Sequence, residues 1–197
     1  MTQLLNRAVF LDRDGVLNFP VVRDGKPYPP STIEEFKIVP DAFDALSRLR
    51  RLNFSLFVVT NQPDVARGAQ ARSVIEAMHS VLLEGLPLDD VYVCYHDDRD
   101  SCDCRKPHSG LLRKAAAEHA IDLRRSYMVG DRWRDIDCGR AAGCTSILVD
   151  GGYAEELRQP PHFRASTLSG AADIITSLEA KETQVWAARR QPMQATF

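Results

Sequence analysis

Val9-Phe10-Leu11-Asp12-Arg13-Asp14-Gly15-Val16-Leu17-Asn18 runs from a short apolar stretch straight into two aspartates and a glycine. Val9 to Leu11 are β-favouring and apolar without alternation. That is the pattern of a strand buried on both faces of a parallel sheet, and the carboxylates begin where the strand stops. Open α/β sheets bind ligands at that edge. Carboxylates at i and i+2 of an extended segment can project to one side, so Asp12 and Asp14 can share one small space. Like charges so placed need a cation between them, or one of them keeps its proton. Both outcomes suit phosphoryl transfer, with Asp12 attacking phosphorus and Asp14 holding a proton for the leaving oxygen. A bare Asp-x-Asp-Gly reads better as a solvated turn, and it is the rest of the chain that overturns this.

A length of 197 residues is enough for one domain with a substantial core. Hydrophobic residues at 44% and charged ones at 26% exclude a disordered or collagen-like chain. A net charge of −2 gives no electrostatic footprint for nucleic acid. Met1 to Arg7 lacks the apolar stretch of a secretory signal, and no apolar run approaches the ~18 residues of a membrane span, so a cytoplasmic protein is expected. Three of the five cysteines, Cys94, Cys102 and Cys104, crowd beside His96, which in a reducing compartment argues for metal rather than disulfides. Cys138 and Cys144 have small apolar neighbours and read as buried, inert thiols.

Beyond the first strand, Asn18 to Pro30 reads as a loop over the active edge. Val39-Pro40-Asp41 opens a helix to about Leu52, with Phe43, Leu46 and Leu49 on one face. Ser55 to Thr60 is the clearest strand and ends in Thr60-Asn61-Gln62. A helix from Ala71 to about Leu83 carries Val74, Met78, Val81 and Leu82 at core spacing. A strand over Asp89 to Tyr95, the Cys/His loop and a helix over Ser109 to His119 follow. Ser126 to Val129 is a strand closed by Gly130-Asp131, Trp133 to Ala142 a helix, Ser146 to Val149 a strand, and Leu168 to about Ala180 the last helix. Alternating strands and helices imply a doubly wound parallel sheet with helices on both faces. One domain over 1–181 with a frayed tail over 182–197, including Trp186 and Phe197, is the expected organisation.

Strand ends thus offer Asp12 with Asp14, Thr60 with Asn61, and Asp131 with Asp135, while Lys106 follows the Cys/His loop. Phosphoryl transfer needs a nucleophile, a proton donor, a cation across the phosphoryl oxygens and donors for the remaining charge. Asp131, Asp12 and the Asp14 backbone carbonyl can supply the oxygen ligands that Mg²⁺ prefers, with Asp135 supporting and Thr60 and Lys106 holding phosphoryl oxygens. Cys94-x-His96-x5-Cys102-x-Cys104 supplies three sulfurs and one nitrogen, a closed tetrahedral set for structural Zn²⁺.

With these four motifs in order over about Ala8 to Val149, the chain resembles the haloacid dehalogenase superfamily phosphatases. The Cys/His loop and Cys104-Arg105-Lys106-Pro107 are similar to a subgroup with minimal caps, the D-glycero-D-manno-heptose 1,7-bisphosphate phosphatases and histidinol-phosphate phosphatases. The resemblance implies a Mg²⁺-dependent enzyme working through an aspartyl-phosphate, with the four Cys/His positions holding zinc. Ala66-Arg67-Gly68 after motif two favours the heptose bisphosphate, converted to the 1-phosphate, with histidinol phosphate as the alternative. Pro63-Asp64 stand where the heptose pattern has Ser-Gly. Asn61, Gln62, Arg67, Arg105 and Arg132 are the expected substrate-binding residues, Arg105 foremost for a second phosphate. A monomer acting on a small phosphorylated metabolite, without nucleic-acid or membrane partners, is expected.

Overall fold

The computed structural model describes residues 5–23, 26–152 and 155–190; Phe197 and the rest of 191–197 lie outside the described residues, as does the side chain of Trp186. In chain order the strands are β1 (Arg7–Leu11), β2 (Val21–Arg23), β3 (Lys26–Tyr28), β4 (Phe54–Asn61), β5 (Asp90–Cys94), β6 (Tyr127–Gly130), β7 (Thr145–Val149) and β8 (Phe163–Ala165). The helices are α1 (Ala42–Arg51), α2 (Arg72–Gly85), α3 (Gly110–His119), α4 (Trp133–Ala142) and α5 (Leu168–Arg190). Six strands form one sheet in the order β5-β4-β1-β6-β7-β8, every pairing parallel. The chain moves outward from β1 through β4 to β5, then crosses back to β6 on the other side. That reversal places a crevice beyond the carboxyl end of β1.

Successive side chains of a strand point to opposite faces, which explains why β1 is apolar from Ala8 to Leu11 without alternation. Val9 and Leu11 join Leu56, Val58 and Val129 in a core completed by α1, α2 and α5. Ala8 and Phe10 join Phe57, Val59 and Met128 in a second core under α3 and α4. Val9, Leu11, Phe10 and Phe57 are fully buried, each contributing on the order of 2 kcal/mol of transfer free energy.

Five details depart from the sequence reading. Phe43 is 57% exposed, and α1 instead buries Ala42, Ala45, Leu46 and Leu49. Val81 is exposed, and Ile75 and His79 take the inward positions beside Met78 and Leu82 in α2. The Asn18 to Pro30 loop contains an antiparallel hairpin in which Val21 pairs with Tyr28. Asp24-Gly25 between the two strands was its sequence signal, muted by Pro27 and by strands of only three residues. The last helix does not stop near Ala180 but continues to Arg190, because Lys181 to Arg190 lacks Gly and Pro and is rich in Ala, Arg, Glu, Lys and Gln, all strong helix formers. The strand β8 was also unforeseen, being short and preceded by Pro160-Pro161. No helix among the described residues is long and apolar enough to cross a membrane.

Candidate active site

Asp12 follows β1 directly, and its backbone N–H still donates to Val129 O at 2.9 Å, so the sheet itself fixes its position. Lys106 Nζ lies 2.8 Å from Asp12 Oδ1 and 2.6 Å from Asp135 Oδ1, and donates to Val59 O at 2.7 Å. Candidate ligand oxygens of Asp12, Asp131 and Asp135 all lie within 4.8 Å of one another. All three aspartates and Lys106 are buried. Three carboxylates against one ammonium leave two negative charges uncompensated if all are ionised. Burial, and then the charge of Asp135, push the Asp12 carboxyl from 3.8 to about 7, although Lys106 pulls it down. Burial followed by Asp12 and Asp135 likewise raises Asp131 well above the carboxylate range. Burial works against the charge on Lys106, but Asp12 and Asp135 more than offset it, so it stays protonated.

The donor set fits a divalent cation. Asp131 Oδ1 is buried with no hydrogen-bond partner, and hard oxygen ligands with two surplus negative charges are what Mg²⁺ requires. Two glycines make this crowding of carboxylates feasible. A Cβ on Gly15, whose φ is +88°, would fall 2.0 Å from Asp131 Oδ2, and one on Gly130 would fall 2.1 Å from Asp135 Cβ.

Asp14 is held differently. Arg13 Nη2 donates to its Oδ1 at 3.0 Å and Oδ2 at 2.9 Å, Asn18 Nδ2 to Oδ1 at 3.0 Å, and Gln62 Nε2 to Oδ2 at 3.0 Å. Burial opposes ionisation here too, but the charge and hydrogen bonds of Arg13, with those of Gln62 and Asn18, win and hold the carboxyl below its ordinary value. The Asp14 side chain is therefore a clamped carboxylate outside the Asp12, Asp131 and Asp135 oxygen cluster. Arg13 is itself fully buried, 3.2 Å from His79 Nε2, and burial followed by the Arg13 charge pushes His79 down to about 4. A neutral His79 accepting from Arg13 completes the clamp. Sequence reasoning missed Arg13, Asn18 and His79 in this role. A histidine directly after Met78 on the apolar face of a helix was the available signal.

Thr60, also buried, accepts from Gln62 Nε2 at 2.8 Å. Gln62 is only 2% exposed and spends both of these bonds inside the site, so it positions Asp14 and Thr60 rather than facing the cavity. Asn61 brackets the Lys106 backbone, accepting from its N–H and donating to its carbonyl, both at 3.0 Å. We predict that Asn61→Ala lowers stability by about 1–2 kcal/mol and kcat by about tenfold, because Lys106 loses its register. Unchanged kcat with lowered stability would confine Asn61 to folding.

Cys94, His96, Cys102 and Cys104 converge just before Lys106, with ligand atoms within 4.8 Å of one another and no disulfide among them. Their spacings, 3.2 to 3.7 Å between sulfurs and 3.2 and 3.6 Å from His96 Nδ1 to Cys104 and Cys94, approach the ~3.7 Å edge of a tetrahedron with Zn–S near 2.3 Å. The set can hold zinc, and His96 would ligate through Nδ1. Cys138 and Cys144 are buried, and burial pushes both thiols up to about 12, so they stay protonated and inert.

A cavity of about 820 Å³ opens above these groups, reaching Asp12, Asp14, Thr60 and Lys106. The segment flanking and forming β2 and β3 contributes Pro20, Pro27, Tyr28 and Pro29 to its wall, a cap of minimal size. Arg67, Arg105, Arg132 and Arg134 line its outer part. The HAD-hydrolase-like family model matches residues 103–171, which include Lys106, Asp131 and Asp135. The D-glycero-beta-D-manno-heptose-1,7-bisphosphate 7-phosphatase of Pseudomonas aeruginosa is 36% identical over 149 residues, covering 73% of this chain and 81% of that protein.

The chain belongs to the HAD phosphatases. It is a phosphoric monoester hydrolase, and its six-stranded sheet is the HAD-like fold. The enzyme of the same name from Escherichia coli K12 is 39% identical over 158 residues, covering 74% of this HAD phosphatase and 80% of the relative. Among solved structures, a D,D-heptose 1,7-bisphosphate phosphatase from B. bronchiseptica, complexed with magnesium and phosphate, superposes with a TM-score of 0.70 at 29% identity, covering 87% of this chain and 99% of that one.

Proposed function

We propose that this HAD phosphatase is Mg²⁺-dependent and removes the 7-phosphate of D-glycero-D-manno-heptose 1,7-bisphosphate through an aspartyl-phosphate on Asp12. The chemistry rests on one observation: three buried carboxylates cluster beyond the end of β1 with a single ammonium paired to two of them, Asp12 and Asp135, and Asp14 clamped beside them. The substrate rests on the activity named for the relatives. When bound by Asp12, Asp131 and the Asp14 backbone carbonyl, with Asp135 supporting, Mg²⁺ would neutralise developing charge on the phosphoryl oxygens.

Asp12 Oδ1 accepts from Arg13 N at 2.7 Å and meets Lys106, whereas Oδ2 has no hydrogen bond among the described residues. Oδ2 is thus the oxygen free to attack. It forms a bond to phosphorus as the P–O bond to the sugar breaks, and Asp14 gives its proton to the departing alkoxide. Water then attacks phosphorus as the bond from phosphorus to Asp12 Oδ2 breaks, Asp14 takes the water proton, inorganic phosphate leaves and Asp12 is a free carboxylate again. Asp14 is ionised before substrate arrives, so it must gain its proton with the substrate. An incoming phosphate dianion supplies the reason, because a like charge nearby raises a carboxyl's proton affinity. Thr60 and Lys106 would hold the non-bridging oxygens.

The test is wild-type kcat/KM on heptose 1,7-bisphosphate and histidinol phosphate measured side by side, with Mg²⁺ present. A preference for histidinol phosphate would overturn the substrate assignment. For the second metal, we predict one tightly held zinc per chain. Cys104→Ser should remove it, lower the melting temperature and reduce activity, because Lys106 lies two residues further on. Elemental analysis finding no zinc in protein purified without chelators would refute this.

A further inference from the structure

Of the four arginines in the outer cavity, three are already neutralised. Arg67 pairs with Asp64, Asp97 and Asp98. Arg105 Nε donates to Asp98 Oδ1 at 2.8 Å and its Nη1 to the His96 carbonyl at 3.3 Å, which ties it to the Cys/His loop. Arg132 grips Glu155 through Nε at 3.1 Å and Nη2 at 2.6 Å. Arg134 has no carboxylate at ion-pair distance among the described residues; its guanidinium lies 4.7 Å from the centre of the Trp133 ring.

Arg134 sits where a cation is unfavourable. It occupies the first turn of α4, the positive end of the helix dipole. Burial, and then the like charges of Arg132 and Arg105, lower its proton affinity. An anion entering the cavity would relieve all of this at once. The charges of Asp98 and Glu155 offset these effects only in part, since each carboxylate is engaged by another arginine.

We propose that Arg134 is the specificity-determining residue that receives the second, non-reacting phosphate of the substrate; this rests on the bisphosphate reading above. The cavity that reaches Asp12 also reaches Arg134, so one sugar can present one phosphate to each. Arg105 or Arg132 would have to exchange an existing carboxylate to do the same. Arg134 exchanges nothing, and a guanidinium can hold a phosphate through two parallel bonds.

The test compares kcat/KM on heptose 1,7-bisphosphate and on p-nitrophenyl phosphate for wild type, Arg134→Gln and Arg134→Lys. Arg134→Gln should lose about 10- to 100-fold more on the bisphosphate than on the aryl phosphate, chiefly through KM, and Arg134→Lys should recover part of the difference. The ratio of the two values on one sample does not depend on how much of the variant has folded. Equal loss on both substrates, or no loss on the bisphosphate, would overturn the assignment of Arg134. A wild-type enzyme that prefers histidinol phosphate would overturn both this and the proposed function, whereas a bisphosphate preference without selective loss in the variant removes only Arg134.

Discussion

Asp12→Asn should lower kcat by about 10⁴-fold or more on every phosphomonoester while the protein stays folded. The amide keeps an oxygen for the Arg13 N–H and for Lys106, the two partners that orient Asp12 Oδ1. It loses the anionic oxygen that would attack phosphorus and a charged ligand for the metal. Stability should move little or rise in Mg²⁺-free buffer, because the change removes one of three carboxylates crowded around one ammonium. Acid-quenched enzyme should carry phosphate on the Asp12 peptide in the wild type and none in the variant. Turnover within a hundredfold of wild type would rule out Asp12 as the nucleophile.

The strand ends were legible in the sequence because apolar runs and the polar residues that interrupt them follow directly from burial. β1, β4 and β6 each deliver their polar residues to the same sheet edge, and Asp12, Thr60, Lys106, Asp131 and Asp135 all reach one cavity. What the sequence left hidden is pairing across distance. Gln62 looked like a substrate contact but turns inward to Asp14 and Thr60, while Asn61, which lines the cavity, also holds the Lys106 backbone. Neither partner is implied by spacing along the chain. The same holds for Arg13, whose burial against His79 depends on how α2 packs, and for Arg105, whose partner Asp98 stands on the Cys/His loop. Arg134 was passed over because a cation in a first helical turn has no pattern that marks it. Its meaning comes only from the pairing of its neighbours.

The stabilisation conferred by Mg²⁺ should grow as pH rises, and the carboxylate cluster gives the sign. The Asp12 carboxyl titrates at about 7 in the folded protein against 3.8 ordinarily, so between those values the metal-free folded state binds more protons than the unfolded one. Its contribution is fully present at acid pH and lost as pH rises from about 4 through 7, at most roughly 4 kcal/mol, with Asp131 shifted the same way. His79 works in the opposite sense. Its value of about 4 lies below the ordinary 6.5, so the stability it contributes is present above 6.5 and lost as pH falls toward 4. The two partly cancel in acid, which makes the difference with and without Mg²⁺ the clean quantity, since His79 contributes to both arms. If Mg²⁺ binds the ionised cluster as proposed, the rise in melting temperature on adding it should be small at pH 5.5 and large at pH 8. Mg²⁺-free buffer is the reference rather than a chelator, which would also draw on any zinc at Cys94, His96, Cys102 and Cys104. Lys106→Met should enlarge the effect, because it strips the ammonium from Asp12 and Asp135 and leaves their charges unpaired, at a cost of about 3–5 kcal/mol in metal-free protein. That loss should be recovered in part by Mg²⁺, while activity should stay low because the donor proposed for a phosphoryl oxygen is gone. A melting-temperature gain from Mg²⁺ that is flat between pH 5.5 and 8 would mean that these carboxylates do not hold the ion.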